Sequence, residues 1–166
     1  MNSNSDFSLS FEPLFFQNTE VLILGSLPGK KSIELNQYYG HSRNRIWSIL
    51  AYLNEKELPI NYDDKKSFLN TMKIGLWDVA YSAIRKGSLD SNIRQERPND
   101  INFLIKTNPS IKVIGFNGKK SEQMFYKFFK INPIIKYVPL PSSSPANMAI
   151  SFENICEKWS QLFLQK

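Results

Sequence analysis

Cysteine and histidine are almost absent from this chain of 166 residues. Cys156 is the single cysteine, which excludes a disulfide framework, an iron–sulfur cluster held by cysteines alone and a zinc site built from several thiolates. His41 is the single histidine, which weakens every scheme that relies on imidazole ligands or on a catalytic triad. We therefore expect no metal site, and any chemistry should use carboxylate, amide and hydroxyl groups.

Long apolar runs are also missing. The longest, such as Val21 to Leu24, are far shorter than the roughly 20 residues that span a bilayer. The N-terminal sequence MNSNSDFSLS has neither the basic nor the apolar region of a signal peptide. We expect a soluble, cytoplasmic protein with no membrane partner.

Positive charge exceeds negative charge, with 21 Lys and Arg against 15 Asp and Glu and a net charge of +6. This excess fits a nucleic-acid partner, but it fits a simple need for solubility equally well. Position is more informative, because most of the cationic clusters follow an apolar segment or a Gly/Pro turn. These clusters are Lys30-Lys31, Arg43 with Arg45, Arg85-Lys86, Arg94 with Arg97, and Lys119-Lys120. Such a distribution indicates the loop edge of a sheet.

The pattern of apolar residues predicts strands that alternate with helices. Apolar runs at 21–24, 74–77, 113–116 and 134–140 predict four buried strands. Helical spacing occurs at 46–53, 68–72, 103–105, 124–129 and 152–163. The sequence therefore predicts an α/β fold with a four-stranded, largely parallel sheet that helices cover on both faces. We expect residues 1–12 to be flexible because they are polar, and residues 13–166 to form a single domain.

The loops after the first and last predicted strands are rich in Gly, Pro and Ser. They read GSLPG at 25–29 and PLPSSSPAN at 139–147. Turns of this kind can direct backbone N–H groups and hydroxyls toward a phosphate. They can also be a plain strand-to-helix turn and a capped loop in which Asn147 starts the last helix. Neither loop matches a P-loop or a GxGxxG motif, so nucleoside-triphosphate chemistry is disfavoured.

Five segments occur in a fixed order between about Val21 and Asn147: GSLPG, QYYGHSRNRIW, LWDVAYSAIRKGSLDSNI, FNG and LPSSSPAN. With these segments the chain resembles the uracil-DNA glycosylase superfamily, and most of all its hypoxanthine-DNA glycosylase branch. The resemblance implies a three-layer α/β/α fold and hydrolysis of the N-glycosidic bond of a flipped, deaminated base, which leaves an abasic site. It also implies no cofactor and a damaged double-stranded DNA substrate. Separately, we expect the enzyme to be monomeric.

Leu27 departs from several members of that superfamily, which carry Asp or Asn two residues after the first glycine of this loop to position the attacking water. In the hypoxanthine branch the resemblance assigns catalysis to the Asn of Arg-Asn-Arg, here Asn44. An amide can hold a water or steady the departing base. Alternatively, Asn44 caps the helix at 46–53. Asp78 and Asp90 are further candidates for activating water, although Asp90 can instead cap a helix from Ser91 to Arg94.

The flipped base should meet Tyr39, Asn117 and Asp78. Tyr39 offers a flat ring for stacking, with Tyr38 as its rival, whereas Asn117 and Asp78 can read the polar edge of a base. Each of these residues also has an ordinary structural interpretation. Tyr39 can belong to the core, Asn117-Gly118 can form a turn, and Asp78 can cap a helix or pair with Arg85.

DNA contacts are expected from the Gly/Ser/Pro loops and from the stretch around the histidine. We prefer phosphate binding or loop architecture to proton transfer for His41. Pro145, Ala146 or Met148 would act as an apolar wedge between bases. The predicted DNA-binding residues are Gly25, Ser26, Pro28, Gly29, His41, Arg43, Ser142, Ser143, Ser144 and Asn147.

Three other functions remain open at this point. The protein can be a uracil or thymine-mismatch glycosylase of the same superfamily, or a non-catalytic nucleic-acid-binding protein that has kept the fold. Leu27 permits the second of these, whereas Asn44, Tyr39 and Asn117 argue against it. An unrelated hydrolase of a small nucleoside would need a carboxylate-lined site, and the acidic residues of this chain are scattered.

Overall fold

A computed structural model describes residues 6–164 of the chain. The strands are β1 (Phe7–Leu9), β2 (Val21–Gly25), β3 (Ile74–Asp78), β4 (Ala80–Arg85), β5 (Ile93–Pro98), β6 (Val113–Asn117) and β7 (Lys136–Leu140). The helices are α1 (Lys30–Leu35), α2 (Ile46–Leu53), α3 (Tyr62–Met72), α4 (Ile101–Thr107), α5 (Lys119–Phe128) and α6 (Phe152–Trp159). Short 3₁₀ turns lie at Asp90–Asn92, Pro145–Asn147 and Ser160–Leu162.

The central sheet has four strands in the order β3-β2-β6-β7, and all of its pairs are parallel. These are the four strands that the apolar runs predict, although the last one begins at Lys136 rather than at Ile134. In the register, Gly25 is opposite Asp78 and Asn117 is opposite Leu140. The carboxyl ends of all four strands therefore meet at one edge, where an open α/β sheet binds its ligands.

Side chains of β2 alternate between two separate apolar cores. Val21 and Ile23 point into a cluster with α2, α3 and α6, whereas Leu22 and Leu24 point into a cluster with α4 and α5. Because both faces of the sheet are covered, its strands are largely apolar and carry charged or polar residues only at their ends. The predicted α/β/α class and the parallel sheet are confirmed.

A second sheet was not predicted. It has three antiparallel strands in the order β1-β4-β5, and Phe7 lies opposite Ile84. The strand β1 falls within residues 1–12, which the sequence predicts to be flexible, and its hydrogen bonds join it to the folded domain. The first five residues of that segment lie outside the described residues.

Two expected helix starts are wrong. Asp90 does not cap a helix from Ser91 to Arg94, because a 3₁₀ turn at Asp90–Asn92 leads directly into β5 and Leu89 occupies the cap position. Asn147 does not start the last helix either. That helix begins after Ser151, whose side chain accepts a hydrogen bond from the Asn154 N–H.

Among residues 6–164, no helix is both long enough and apolar enough to cross a membrane.

Candidate active site

A cleft of about 750 Å³ opens at the carboxyl edge of the parallel sheet. Its walls are the loops that follow β2, β4, β6 and β7, together with the segment between α1 and α2. The structure brings together nearly all of the predicted site residues in this cleft. They are Gly25, Ser26, Pro28, Gly29, Tyr39, His41, Asn44, Asp78, Asp90, Asn117, Ser142, Ser143, Ser144 and Asn147. Arg43 is the exception, since its exposed side chain is not part of the lining in the described chain.

Tyr39 and Asp78 converge on the backbone of Gly25 at the floor of the cleft. A Cβ atom on Gly25 would lie 2.6 Å from Asp78 Oδ1 and 3.0 Å from the Tyr39 hydroxyl. Only glycine leaves room for both groups at this position. Tyr39 has a φ of +51°, a left-handed conformation that is uncommon for a bulky residue. The Trp47 indole N–H donates a hydrogen bond to the Tyr39 carbonyl oxygen at 3.2 Å and helps to hold this conformation.

Asp78 is a buried carboxyl group at the end of β3, with only 4% of its surface exposed. Burial disfavours its charged form, and the nearby Asp90 adds repulsion, while the Arg85 guanidinium acts in the opposite direction. The balance raises the pKa of Asp78 to about 7. Within the described residues, the Oδ2 atom of Asp78 and the hydroxyl of Tyr39 are buried without a hydrogen-bond partner. Burial and the Asp78 charge also raise the pKa of Tyr39. Tyr39 therefore stays a neutral phenol.

Asp90 is a carboxylate in a different environment, since 40% of its side chain is exposed. It accepts a hydrogen bond from the Ser26 hydroxyl at 2.6 Å and lies 3.9 Å from Arg85 Nη1. A Cβ on Gly118 would lie 3.8 Å from its other oxygen, so Asp90 also lies near the start of α5. The cleft thus holds one buried and one solvated carboxyl group. The predicted pairing of Asp78 with Arg85 is not observed, because Arg85 forms its ion pair with Asp90 instead.

Arg85 lines the cleft, although the sequence assigned it only to a cationic cluster and to an alternative pairing with Asp78. It is 3% exposed and lies beneath the GSLPG loop, where its guanidinium donates to the carbonyl oxygens of Leu27 and Pro28. These hydrogen bonds hold the turn in place through its backbone carbonyl groups. A buried charge is stable only with such partners, so Arg85 fixes the loop and supplies positive potential next to the two carboxyl groups. No sequence signal marks it as inward-facing, because buried and exposed residues do not alternate regularly along β4 and the strand has two register shifts.

Asn44, Ser143 and Asn117 form a chain of hydrogen bonds across three loops. The Asn117 amide nitrogen donates to the Ser143 hydroxyl at 2.9 Å, and that hydroxyl donates to Asn44 Oδ1 at 2.8 Å. Asn117 Oδ1 in turn accepts from the Ser143 backbone N–H at 2.9 Å. Asn44 Oδ1 also accepts from the Ile46 N–H at 3.1 Å, which is the helix-start contact that the sequence offered as an alternative role. Both descriptions of Asn44 are therefore compatible with its geometry.

The structure contradicts the prediction of a DNA contact through Ser143. This residue is 0% exposed, and both its hydroxyl and its N–H are bonded to the two asparagines. Ser142 and Ser144 are partly exposed, although the Ser142 hydroxyl accepts from the Ser144 N–H at 3.1 Å. The side chain of Asn147 donates to the Ser142 carbonyl oxygen and thereby closes the loop.

Arg45 and His41 support the walls of the cleft. The Arg45 guanidinium donates to the carbonyl oxygens of Asn147 and Ile150, both at 2.8 Å, and so ties the loop after β7 to the start of α2. Sequence reasoning assigned Arg45 only to a cationic cluster. The Nδ1 atom of His41 accepts from the Arg43 N–H at 3.1 Å, which is the loop-supporting role considered for it.

Tyr38 is a core residue rather than a rival for base stacking. It is 5% exposed, and its hydroxyl donates to the Glu12 carbonyl oxygen at 2.7 Å. Its ring packs edge-on against Phe11. No group of three or more His, Cys, Asp or Glu side chains within residues 6–164 is arranged to hold a metal ion.

Comparison with known proteins identifies the family to which this chain belongs. The model of the uracil DNA glycosylase superfamily matches residues 13–162. The chain belongs to this superfamily. The resemblance that the five ordered segments indicated is thereby confirmed.

Two curated members of the superfamily are similar over nearly their whole length. A hypoxanthine DNA glycosylase from Methanosarcina barkeri is 38% identical over 159 residues, which cover 92% of this chain and 96% of the relative. A second protein of that name, from Methanosarcina acetivorans, is 36% identical with the same coverage. Among solved structures, a solution NMR structure of a candidate uracil DNA glycosylase from M. acetivorans has a TM-score of 0.78 and 33% identity. It covers 95% of this chain and 99% of that one.

Proposed function

We propose that this superfamily member is a monofunctional DNA glycosylase that removes hypoxanthine from deoxyinosine in double-stranded DNA and leaves an abasic site. The main observation behind the proposal is the cleft, in which carboxyl, amide and phenol groups from separate segments come together over Gly25. Both Methanosarcina relatives are named as hypoxanthine DNA glycosylases, and this similarity supports hypoxanthine as the base.

The cleft suits a reaction in which the positioning of the substrate and of water matters more than a strong nucleophile. Departure of a base leaves an oxocarbenium-like sugar, so stabilisation of that cation and of the leaving base dominates the barrier. Leu27 lies at the cleft wall and offers no group to bind water. Asn44 takes over this role in our proposal. Its carbonyl oxygen is held by Ser143 and by the Ile46 N–H, and its amide nitrogen is the group left to face water or the base.

The base itself would enter beside Tyr39 and Asn117. The enzyme must flip the nucleotide out of the duplex, and the unpairing cost of a few kcal/mol is smallest for a mispaired base. Tyr39 would then offer its ring to the flipped base, a contact worth about 1–3 kcal/mol in nucleic-acid sites. Asn117 is 6% exposed and is held by Ser143, so it would present an amide of fixed orientation to the edge of the base.

DNA phosphates would lie along the rim of the cleft. The turn at Ser26, Pro28 and Gly29 would supply backbone donors, and Ser142 with Ser144 would supply hydroxyls on the opposite wall. Met148 is 52% exposed directly after that wall and is the candidate wedge in the base stack.

The test uses labelled duplexes that carry deoxyinosine, deoxyuridine, deoxyxanthosine or a thymine mismatch. Each is incubated with the protein, treated with alkali to cleave abasic sites and compared with an untreated portion. We expect free hypoxanthine and strand cleavage that depends on alkali. Cleavage without alkali would contradict the monofunctional mechanism, and stronger release of uracil than of hypoxanthine would reassign the substrate. Absence of release from every duplex would leave a DNA-binding protein without this activity.

A further inference from the structure

The reaction proposed above assigns no role to the buried carboxyl group of Asp78. Asp78 lies on the cleft floor, and its Oδ2 is buried without a partner anywhere in residues 6–164. A buried polar atom of this kind normally has a partner, because leaving it without one destabilises the fold. The cleft in front of Asp78 is the place from which a ligand could supply that partner.

We propose that Asp78 is the general acid of the reaction and donates its carboxyl proton to N7 of the departing purine. The proposal rests on the function proposed above, since it requires a purine base in the cleft. It assigns different tasks to the two carboxyl groups of the site. Asp78 is buried and acts as the acid, while Asp90 is partly exposed and forms an ion pair with Arg85.

Burial is the main reason why Asp78 keeps its proton, and the charges that face it add to this effect. Asp90, from the turn after β4, opposes a second negative charge, and Tyr38 and Tyr39, from the segment before α2, offer uncharged phenols. The opposing influence is Arg85 on β4, but its guanidinium is directed to Asp90 and to the GSLPG loop. These surroundings raise the pKa of Asp78 to about 7, the range in which a carboxylic acid can transfer a proton at neutral pH.

The step balances without a further reactant. The C1′–N9 bond breaks and its electron pair stays with the base, while the Asp78 proton bonds to N7. The base then leaves as neutral hypoxanthine, and Asp78 becomes a carboxylate. Water forms the new bond to C1′ of the oxocarbenium sugar, and the proton that this water loses returns to Asp78. The net reaction is hydrolysis, and the acid is restored.

The first measurement is the pH dependence of single-turnover base release from deoxyinosine duplex between pH 5 and pH 9. We expect a constant rate at low pH and a tenfold fall for each pH unit above about 7, because only the protonated acid reacts. A rate that stays constant or rises across this range would overturn the proposal. Failure to release hypoxanthine at any pH would remove the proposed function as well, so the two failures are distinguishable.

The second measurement compares deoxyinosine with 7-deaza-2′-deoxyinosine, which lacks the accepting nitrogen. The wild-type protein should cleave the deaza duplex at least about a hundredfold more slowly. Asp78→Asn should slow deoxyinosine by a similar factor, lose the fall in rate above pH 7 and slow the deaza substrate little further. Equal effects of Asp78→Asn on both substrates would show that Asp78 does not act through N7 and would overturn the assignment.

A matched control is Asp63→Asn, which alters a carboxylate in the first turn of α3 that is 92% exposed and is not part of the cleft lining in the described chain. It should keep both the wild-type rate and the wild-type pH profile. Thermal unfolding of Asp78→Asn establishes that the variant is folded. If it is not, the wild-type pH profile and the deaza substrate still decide the question.

Discussion

Asn44, which precedes α2, and Asn117, at the end of β6, are joined through a single hydroxyl, that of Ser143. Two backbone N–H groups determine which group donates and which accepts in this series of hydrogen bonds. The Ile46 N–H fixes the Asn44 oxygen as an acceptor, and the Ser143 N–H fixes the Asn117 oxygen as an acceptor. The Ser143 hydroxyl must therefore donate to Asn44 and accept from Asn117. A chain of this kind polarises its members in one direction and orients the remaining amide hydrogens of both asparagines.

The first prediction concerns Ser143→Ala. Loss of the hydroxyl leaves the Asn117 amide with one partner fewer in a buried position, so we expect a loss of about 1–3 kcal/mol in the free energy of unfolding. Because each asparagine loses one of its hydrogen bonds, both amides are held less firmly, and base release should also fall by at least about tenfold, with DNA affinity nearly unchanged. Denaturant unfolding and single-turnover rates measure the two effects.

Ser110→Ala is the control for that change. The Ser110 hydroxyl donates to the Thr19 carbonyl oxygen, near the start of β2 and therefore at the opposite edge of the sheet. It should reduce stability without reducing the rate of the folded protein. If Ser143→Ala behaves in the same way, the hydrogen-bond chain is structural only.

The parallel sheet could be predicted because each of its strands leaves a recognisable pattern within a few consecutive residues. Each central strand is covered on both faces, so it appears as a short continuous apolar run, such as VLIL before Gly25. The positions of the site residues then follow from the carboxyl ends of the strands. Asp78 and Asn117 are the last residues of β3 and β6, and this is why so many predicted residues line one cleft.

The antiparallel sheet could not be found in this way. Its strand β5 has the sequence IRQERP, in which only Ile93 is buried, because that strand packs on one face and lies at an edge. The roles of Arg85 and Ser143 were hidden for a different reason. Their partners are 57 and 58 residues away for Arg85 and 26 and 99 for Ser143, so only the folded chain reveals that a cation supports a turn and that a serine is buried.

The second prediction separates the two roles of Asn44. Asn44→Ala removes the acceptor for the Ile46 N–H, which should reduce stability by about 1 kcal/mol. If its amide also positions water or the leaving base, single-turnover base release should fall at least about a hundredfold, or ~2.7 kcal/mol, with little loss of affinity for lesion DNA.

Asn44→Asp sharpens this test, since it keeps an oxygen for Ile46 and Ser143 but removes the N–H donor. Loss of activity with retained stability would assign the function to the amide nitrogen. Asp90→Asn is the second comparison. A larger loss of rate there than in Asn44→Ala would transfer the activation of water to Asp90.

The third prediction concerns salt. If the exposed cations at the rim of the cleft contact phosphates, affinity for undamaged duplex should fall steeply with salt, and each lost contact should reduce the log–log slope by about 0.9. Lys30→Ala and Lys119→Ala should each flatten the slope, because both residues line the cleft. Arg43→Ala tests whether the interface extends beyond it.

Lys112→Ala provides the reference for these slopes. Lys112 directly precedes β6 and therefore lies at the amino edge of the sheet, away from the cleft. Its removal should leave the slope unchanged. A slope for Lys30→Ala that equals the Lys112→Ala value would exclude Lys30 from the interface.

The last prediction is that the buried Asp78 carboxyl group reduces the free energy of unfolding as the pH rises. Asp78→Asn should remove this pH-dependent loss. The pKa of Asp78 is raised from 3.8 to about 7 on folding. Between these values the folded state retains a proton that the unfolded state has lost. The contribution of this group to stability is therefore fully present below about pH 4, declines as the pH rises and is lost above about pH 7. Asparagine has no such dependence.

We therefore expect the free energy of unfolding of Asp78→Asn, relative to wild type, to increase steadily from pH 4 to pH 7 and then to level off. The total change should be about 4 kcal/mol, since each unit of the pKa shift from 3.8 to about 7 corresponds to ~1.4 kcal/mol. Urea unfolding of both proteins at pH 4, 5.5, 7 and 8.5 measures it, and Asp63→Asn should show no comparable trend. If the Asp78→Asn difference does not vary with pH, Asp78 is ionised in the folded protein, and the free-energy profile then contradicts a protonated carboxyl group at the floor of the cleft.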